Sequence, residues 1–96
     1  MLIDSLYWKD HIVEKIICDH GVMPEEVEEV IYEGNLEVRR FHENRYLIWG
    51  QSLSGRYLFA VLEEESKGVF VPLTARNMTN AEKRAYRKRR KQKHSE

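Results

Sequence analysis

The sequence is poor in the residues that build cross-linked or metal-held scaffolds. Among 96 residues there is one cysteine, Cys18, so no internal disulfide and no Cys-x-x-Cys knuckle can form. The four histidines, His11, His20, His42 and His94, show no ligand spacing with it. No metal and no cofactor is expected. No apolar run approaches the roughly 18 residues that a membrane helix requires, and no membrane partner is expected. The opening Met1-Leu2-Ile3-Asp4-Ser5-Leu6-Tyr7-Trp8 has neither a basic start nor a long apolar stretch. A secretory leader is therefore not expected, and a cytoplasmic protein is. With two prolines and five glycines, there is no low-complexity linker to divide the chain.

Apolar residues make up 42% and charged residues 33%, enough for one modest core with a wet surface. The formal net charge of zero hides a split. Up to Ala75, seven Lys/Arg stand against fourteen Asp/Glu, a net of −7; from Arg76 onward, nine Lys/Arg stand against two Glu, a net of +7. An acidic body with a basic end points to a polyanion or an acidic protein as partner. The run Arg87-Lys88-Arg89-Arg90-Lys91-Gln92-Lys93 also reads as a self-repelling terminus. We expect one domain over residues 1–88 and a disordered basic tail over 89–96.

Periodicity predicts the elements. Residues 2–8 fit a short first strand. Ile12, Val13, Ile16, Ile17 and His20 fall on one helical face after Asp10, and Gly21 stands where a left-handed cap belongs. Pro24, Glu25 and Glu26 suit the start of a second helix with a Val27, Val30, Ile31 stripe, stopped by Gly34. The period then shortens to two. Strands are predicted over 36–41, 45–51, 56–63 and 69–75, with turns short enough to force an antiparallel meander. Tyr57-Leu58-Phe59-Ala60-Val61-Leu62 is apolar on both faces and reads as central. Pro72 removes a ladder donor, which marks an edge or a bulge. Thr79-Asn80-Ala81-Glu82 is a capping box that opens a last helix. The fold class is α+β: two helices, four strands, one helix.

At this point a resemblance appears. The segment Thr74-Ala75-Arg76-Asn77-Met78-Thr79-Asn80-Ala81-Glu82-Lys83-Arg84-Ala85-Tyr86 resembles the closing motif of the BrnT family, type II toxins with a RelE-like ribonuclease fold. Tyr7-Trp8 ahead of His20-Gly21-Val22, the acidic helix of residues 24–31, Arg45-Tyr46, Gly50 and Gly55-Arg56 also match, so the likeness runs from Tyr7 to about Tyr86. The resemblance implies a metal-independent endoribonuclease that cleaves mRNA through the substrate's own 2′-hydroxyl and arrests translation. It also implies a cognate antitoxin of ribbon-helix-helix type, with DNA contacted only through the toxin–antitoxin complex.

Such cleavage needs a base for the 2′-hydroxyl proton, an acid for the 5′-oxygen and positive charge on the phosphorane-like transition state. Arg76, at the end of the last strand, is the first candidate for that charge, against a plain ion pair with the acidic body. Tyr86 could donate a proton or stack on a base, against a core role with a wet hydroxyl. Glu82 could be a base, although the capping box already accounts for it. His20 could serve as acid or base, against a helix-end role. Arg45 and Arg56 each begin a strand, are expected to lie near one another, and could bind phosphate; cross-strand ion pairs are the alternative. Lys83, Arg84, Arg87 and Lys88 could track an RNA backbone without reading bases. Trp8 and Trp49 read as packing residues, and Cys18 as a small buried one.

Some positions depart from the family pattern. Ile12 and Ile16 stand where Lys and Asn are usual, Asp19 where Lys is frequent before the histidine, and Glu63-Glu64-Glu65 contains no Arg. These departures keep a second reading open, a catalytically silent module of the same fold that binds RNA or a protein.

Overall fold

The computed structural model describes residues 3–33 and 35–94. Gly34, expected to stop the second helix, and Leu2, expected to start the first strand, lie outside the described residues.

Helix α1 spans Asp10–His20 and ends on Gly21, whose φ of 62° is the left-handed conformation that only glycine adopts at little cost. Helix α2 spans Pro24–Tyr32. Proline at its start has no N–H to leave unpaired, and the Glu26 side chain reaches back to the Met23 N–H at 3.0 Å. Helix α1 buries Ile12 and Ile16 and α2 buries Val27, Val30 and Ile31. Val13 is half-buried and Ile17 is exposed, so the stripe of α1 is narrower than its spacing allowed.

Five strands follow the order β1-β5-β4-β3-β2 in one sheet. Strand β1 is Ser5–Leu6, β2 is Glu37–Phe41, β3 is Arg45–Gln51, β4 is Tyr57–Ser66 and β5 is Val69–Asn77. The last four form the expected antiparallel meander. The correction concerns β1, which joins β5 in parallel through Ser5–Val69 and Leu6–Phe70. The sheet is thus five-stranded and mixed. Turn lengths constrain the meander but are silent about a two-residue strand arriving from the far end of the chain. Strand β4 is central, as its apolar run required. Pro72 sits at a register shift, opposite Leu62. Its reading as a bulge therefore holds, while β5 is interior because β1 covers it.

The core lies between α1, α2 and one face of the sheet, where Ile48, Leu58, Ala60, Leu62, Phe70 and Ala75 meet the helix residues. Each large apolar side chain so buried contributes about 1.5–3 kcal/mol. Gly50 lets α2 approach. A Cβ built there would stand 2.5 Å from Val30 Cγ1, so α2 rests on the bare backbone of β3. Trp8 packs against the core and donates its indole N–H to Glu28 at 3.1 Å. Cys18 is exposed, contrary to its expected burial, because it lies off the Ile12–Ile16 stripe.

Helix α3 spans Asn80–His94, so it continues beyond residue 88, where the domain was expected to end. Thr79 caps it as the capping box required. The Glu82 N–H donates to Thr79 Oγ1 at 3.1 Å, and the Thr79 N–H donates to Glu82 Oε1 at 2.8 Å.

Candidate nucleic-acid interface

The alternation that buries Ile48, Leu58 and Ala60 turns their neighbours to the other face. There Arg76, Phe59, Trp49 and Glu37 stand opposite one another on β5, β4, β3 and β2. The Arg76 guanidinium lies 4.3 Å from the Phe59 ring centroid, and Phe59 lies 5.4 Å from Trp49. Arginine over an aromatic face is held by the ring quadrupole as well as by packing.

Helix α3 crosses this row and is tied to it by polar groups. Arg76 Nη1 and Nη2 donate to Glu82 Oε1 and Oε2 at 2.8 and 3.2 Å, and the Trp49 indole N–H donates to Oε2 at 3.3 Å. Further along, Arg87 Nε donates to the Tyr57 hydroxyl at 3.1 Å and its guanidinium stacks on that ring at 4.9 Å. Lys83 Nζ stands 6.0 Å from the same ring centroid. Arg89 pairs with Glu37, whose other oxygen is buried without a hydrogen-bond partner.

These contacts give each candidate residue a position. Glu82 is ringed by donors. The Arg76 guanidinium, bonded to both its oxygens, is the main cause that holds its carboxyl down to about 2; burial opposes, and the Thr79 N–H and Trp49 indole assist. Tyr86 is buried, 3% exposed, and donates its hydroxyl to the Asn35 carbonyl at 2.5 Å. It packs edge-on against Tyr57, and burial pushes its hydroxyl above the ordinary tyrosine range. Arg84, Arg87 and Lys88 are exposed on α3, and Lys83 is half-buried.

His20 and Arg56 belong to the opposite side of the sheet. Arg56 Nη2 donates to the His20 carbonyl at 3.2 Å and Nη1 to the Gly21 carbonyl at 2.8 Å. The same guanidinium bonds Glu26 at 2.9 Å and Asn77 Oδ1 at 2.7 Å. Arg56 thus caps α1, holds the start of α2 and fixes the end of β5. Arg45 pairs with Glu63 at 3.1 Å, as its alternative reading allowed. Arg45 and Arg56 are not neighbours, which corrects the expectation. In an antiparallel pair the starts of consecutive strands lie at opposite ends; Arg45 faces Glu63, while the residue after Arg56, Tyr57, faces Gln51.

The structure therefore brings Arg76, Glu82, Lys83 and Arg87 to one face and end of the sheet and leaves His20, Arg56 and Arg45 elsewhere. Sequence reasoning passed over Tyr57 and Phe59. Their signal was the odd-numbered alternation with Leu58 and Ala60, obscured because both sets are apolar. Among the described residues, no group of three or more His, Cys, Asp or Glu could hold a metal ion, and no helix is long and apolar enough to cross a membrane.

The architecture is an α+β domain in which three helices pack with one five-stranded mixed sheet. The structure is similar to that of the Brucella abortus ribonuclease toxin BrnT, solved at 1.1 Å resolution, with a TM-score of 0.62 and 12% sequence identity. The likeness covers 82% of this chain and 96% of that one. No family profile and no curated protein matches the sequence.

Proposed function

We propose that this chain is a ribonuclease toxin of a toxin–antitoxin pair, acting on RNA across the face shared by Arg76 and α3. One observation carries the reading: in a fold shared with a ribonuclease toxin, a basic helix lies across an arginine–aromatic row. Exposed arginines and lysines at helical spacing attract a phosphate backbone whatever its sequence, and aromatic rings beside them offer a surface for bases. In this reading Arg84, Arg87 and Lys88 gather the backbone, and Arg76 places its charge on the phosphate where negative charge grows. The substrate's 2′-hydroxyl is the nucleophile, which needs no metal because it is already tethered beside the phosphorus. An acidic segment of an antitoxin would meet the same basic surface.

The second reading, a silent binding module, is favoured by the state of the proton-transfer candidates. Glu82 at about 2 lies far below the range of an effective base at neutral pH, and the Tyr86 hydroxyl is committed inside the fold.

The test is incubation of the purified protein with mRNA in the presence of a chelator, beside induction in a bacterial host. Cleavage leaving 2′,3′-cyclic phosphate ends and growth arrest are expected from the parent. Both should fall about tenfold in Arg84→Ala/Lys88→Ala, whose altered side chains are exposed. Binding without cleavage would move the conclusion to the silent module. Absence of both binding and cleavage in folded protein would overturn the RNA reading.

A further inference from the structure

Arg76 is the best-placed cation for an RNA phosphate, yet its fork is already occupied. Both terminal nitrogens hold the Glu82 carboxylate, and a guanidinium fork fits a carboxylate and a phosphate with the same bidentate geometry. Resting on the RNA-binding reading above, we propose that Glu82 is an internal competitor for Arg76. An RNA phosphate takes the guanidinium only by displacing the Glu82 side chain, which turns to solvent while α3 stays seated.

Three features support this exchange. First, the pair is reachable, since the Arg76 and Glu82 side chains are 34% and 23% exposed. Second, Arg76 does not depend on Glu82 for its position. Its guanidinium stacks on Phe59 and donates through Nη1 to the Asn77 carbonyl at 3.0 Å. Third, α3 has other anchors, in the Tyr86 hydroxyl on the Asn35 carbonyl, Arg87 on Tyr57 and Arg89 on Glu37. The Thr79 hydroxyl still accepts the Glu82 N–H after the carboxylate leaves. Departure of Glu82 also frees the Thr79 N–H and the Trp49 indole N–H. These donors point at the vacated position, beside the positive end of a helix. A ligand that must evict an internal occupant binds more weakly by the fraction of time the site is open, so the contact sets a threshold on RNA binding.

The experiment is fluorescence anisotropy with a labelled single-stranded oligoribonucleotide, 2′-O-methylated throughout so that it cannot be cleaved. Four proteins are compared: parent, Glu82→Gln, Arg76→Ala and the double variant. Glutamine preserves the capping box but releases the charge. Glu82→Gln should bind up to roughly fivefold more tightly, the factor an exposed ion pair carries. In the Arg76→Ala background the gain should vanish. Glu82→Gln binding no more tightly than the parent would overturn the proposal. So would an equal gain with and without Arg76, which would mark a general charge effect. Binding by none of the folded proteins would instead remove the RNA reading on which it rests. Circular dichroism checks each fold, and Arg76→Gln replaces Arg76→Ala as the background if the alanine variant fails to fold.

Discussion

Replacing Arg56 by alanine separates a structural tie from an RNA contact. Its guanidinium bonds the carbonyls of His20 and Gly21, the Glu26 carboxylate and Asn77 Oδ1, at 2.7 to 3.2 Å. A hydrogen bond to a charged group contributes about 1.5–3 kcal/mol when well shielded, and a cation at a helix C-terminus about 0.3–1 kcal/mol. Here the Arg56 and Glu26 side chains are 27% and 20% exposed, and water can take over the freed carbonyls, so the four contacts do not add at full value. A net loss of about 2 kcal/mol follows. In a domain of this size that lowers Tm by roughly 8–16 °C. Thermal unfolding followed by circular dichroism measures it, and the salt dependence of RNA binding is taken on the folded variant. The expected result is a large fall in Tm with an unchanged salt slope. A Tm within about 2 °C of the parent, together with a slope reduced by about 0.7, would show that Arg56 contacts phosphate and that the four bonds hold little.

Two further outcomes are expected. Gly50→Ala drives a methyl group into Val30 and should destabilise by about 1–3 kcal/mol in urea unfolding. Val30→Ala should partly rescue it, and fully additive losses in the double variant would show that α2 does not rest on Gly50. Glu82 is lowered in the folded state to about 2 from an ordinary 4.5, so its contribution to stability is complete above about pH 4.5 and is lost as pH falls toward 2. The Tm difference between parent and Glu82→Gln should therefore shrink across that window, and a difference that stays constant from pH 6 to pH 2 would refute the assignment.

The sequence was most legible where one residue type answers one local demand. Gly21 ends α1 in the left-handed region, Pro24 opens α2, and Thr79 with Glu82 caps α3, each as residue chemistry requires. The meander was legible because short turns leave no other pairing. Long-range arrangement was not. Nothing in Ser5-Leu6 specifies Val69-Phe70 as its partner. The separation of Arg45 from Arg56 follows from strand direction and not from their shared place at strand starts. In the candidate site, Arg76 and Glu82 were both named, but not as partners. They sit six positions apart across a strand-to-helix junction, where no helical or strand period applies.

The pairing of β1 with β5 has a consequence for how the chain comes to exist. Ser5 waits for Val69, sixty-four positions later, and helix α1 packs on β5, the strand that brings Phe70 and Ala75 to the finished core. Contacts so distant along the chain form late, after their loops have closed. A nascent chain halted before Phe70 has both helices and strands β2 to β4, but lacks β5, the strand on which α1 packs. Such a fragment is a sticky intermediate. Arg76 and every basic residue of α3 lie beyond that point. The basic part of the surface that would engage RNA is thus synthesised after strands β2 to β4, and a product truncated before Phe70 lacks it altogether.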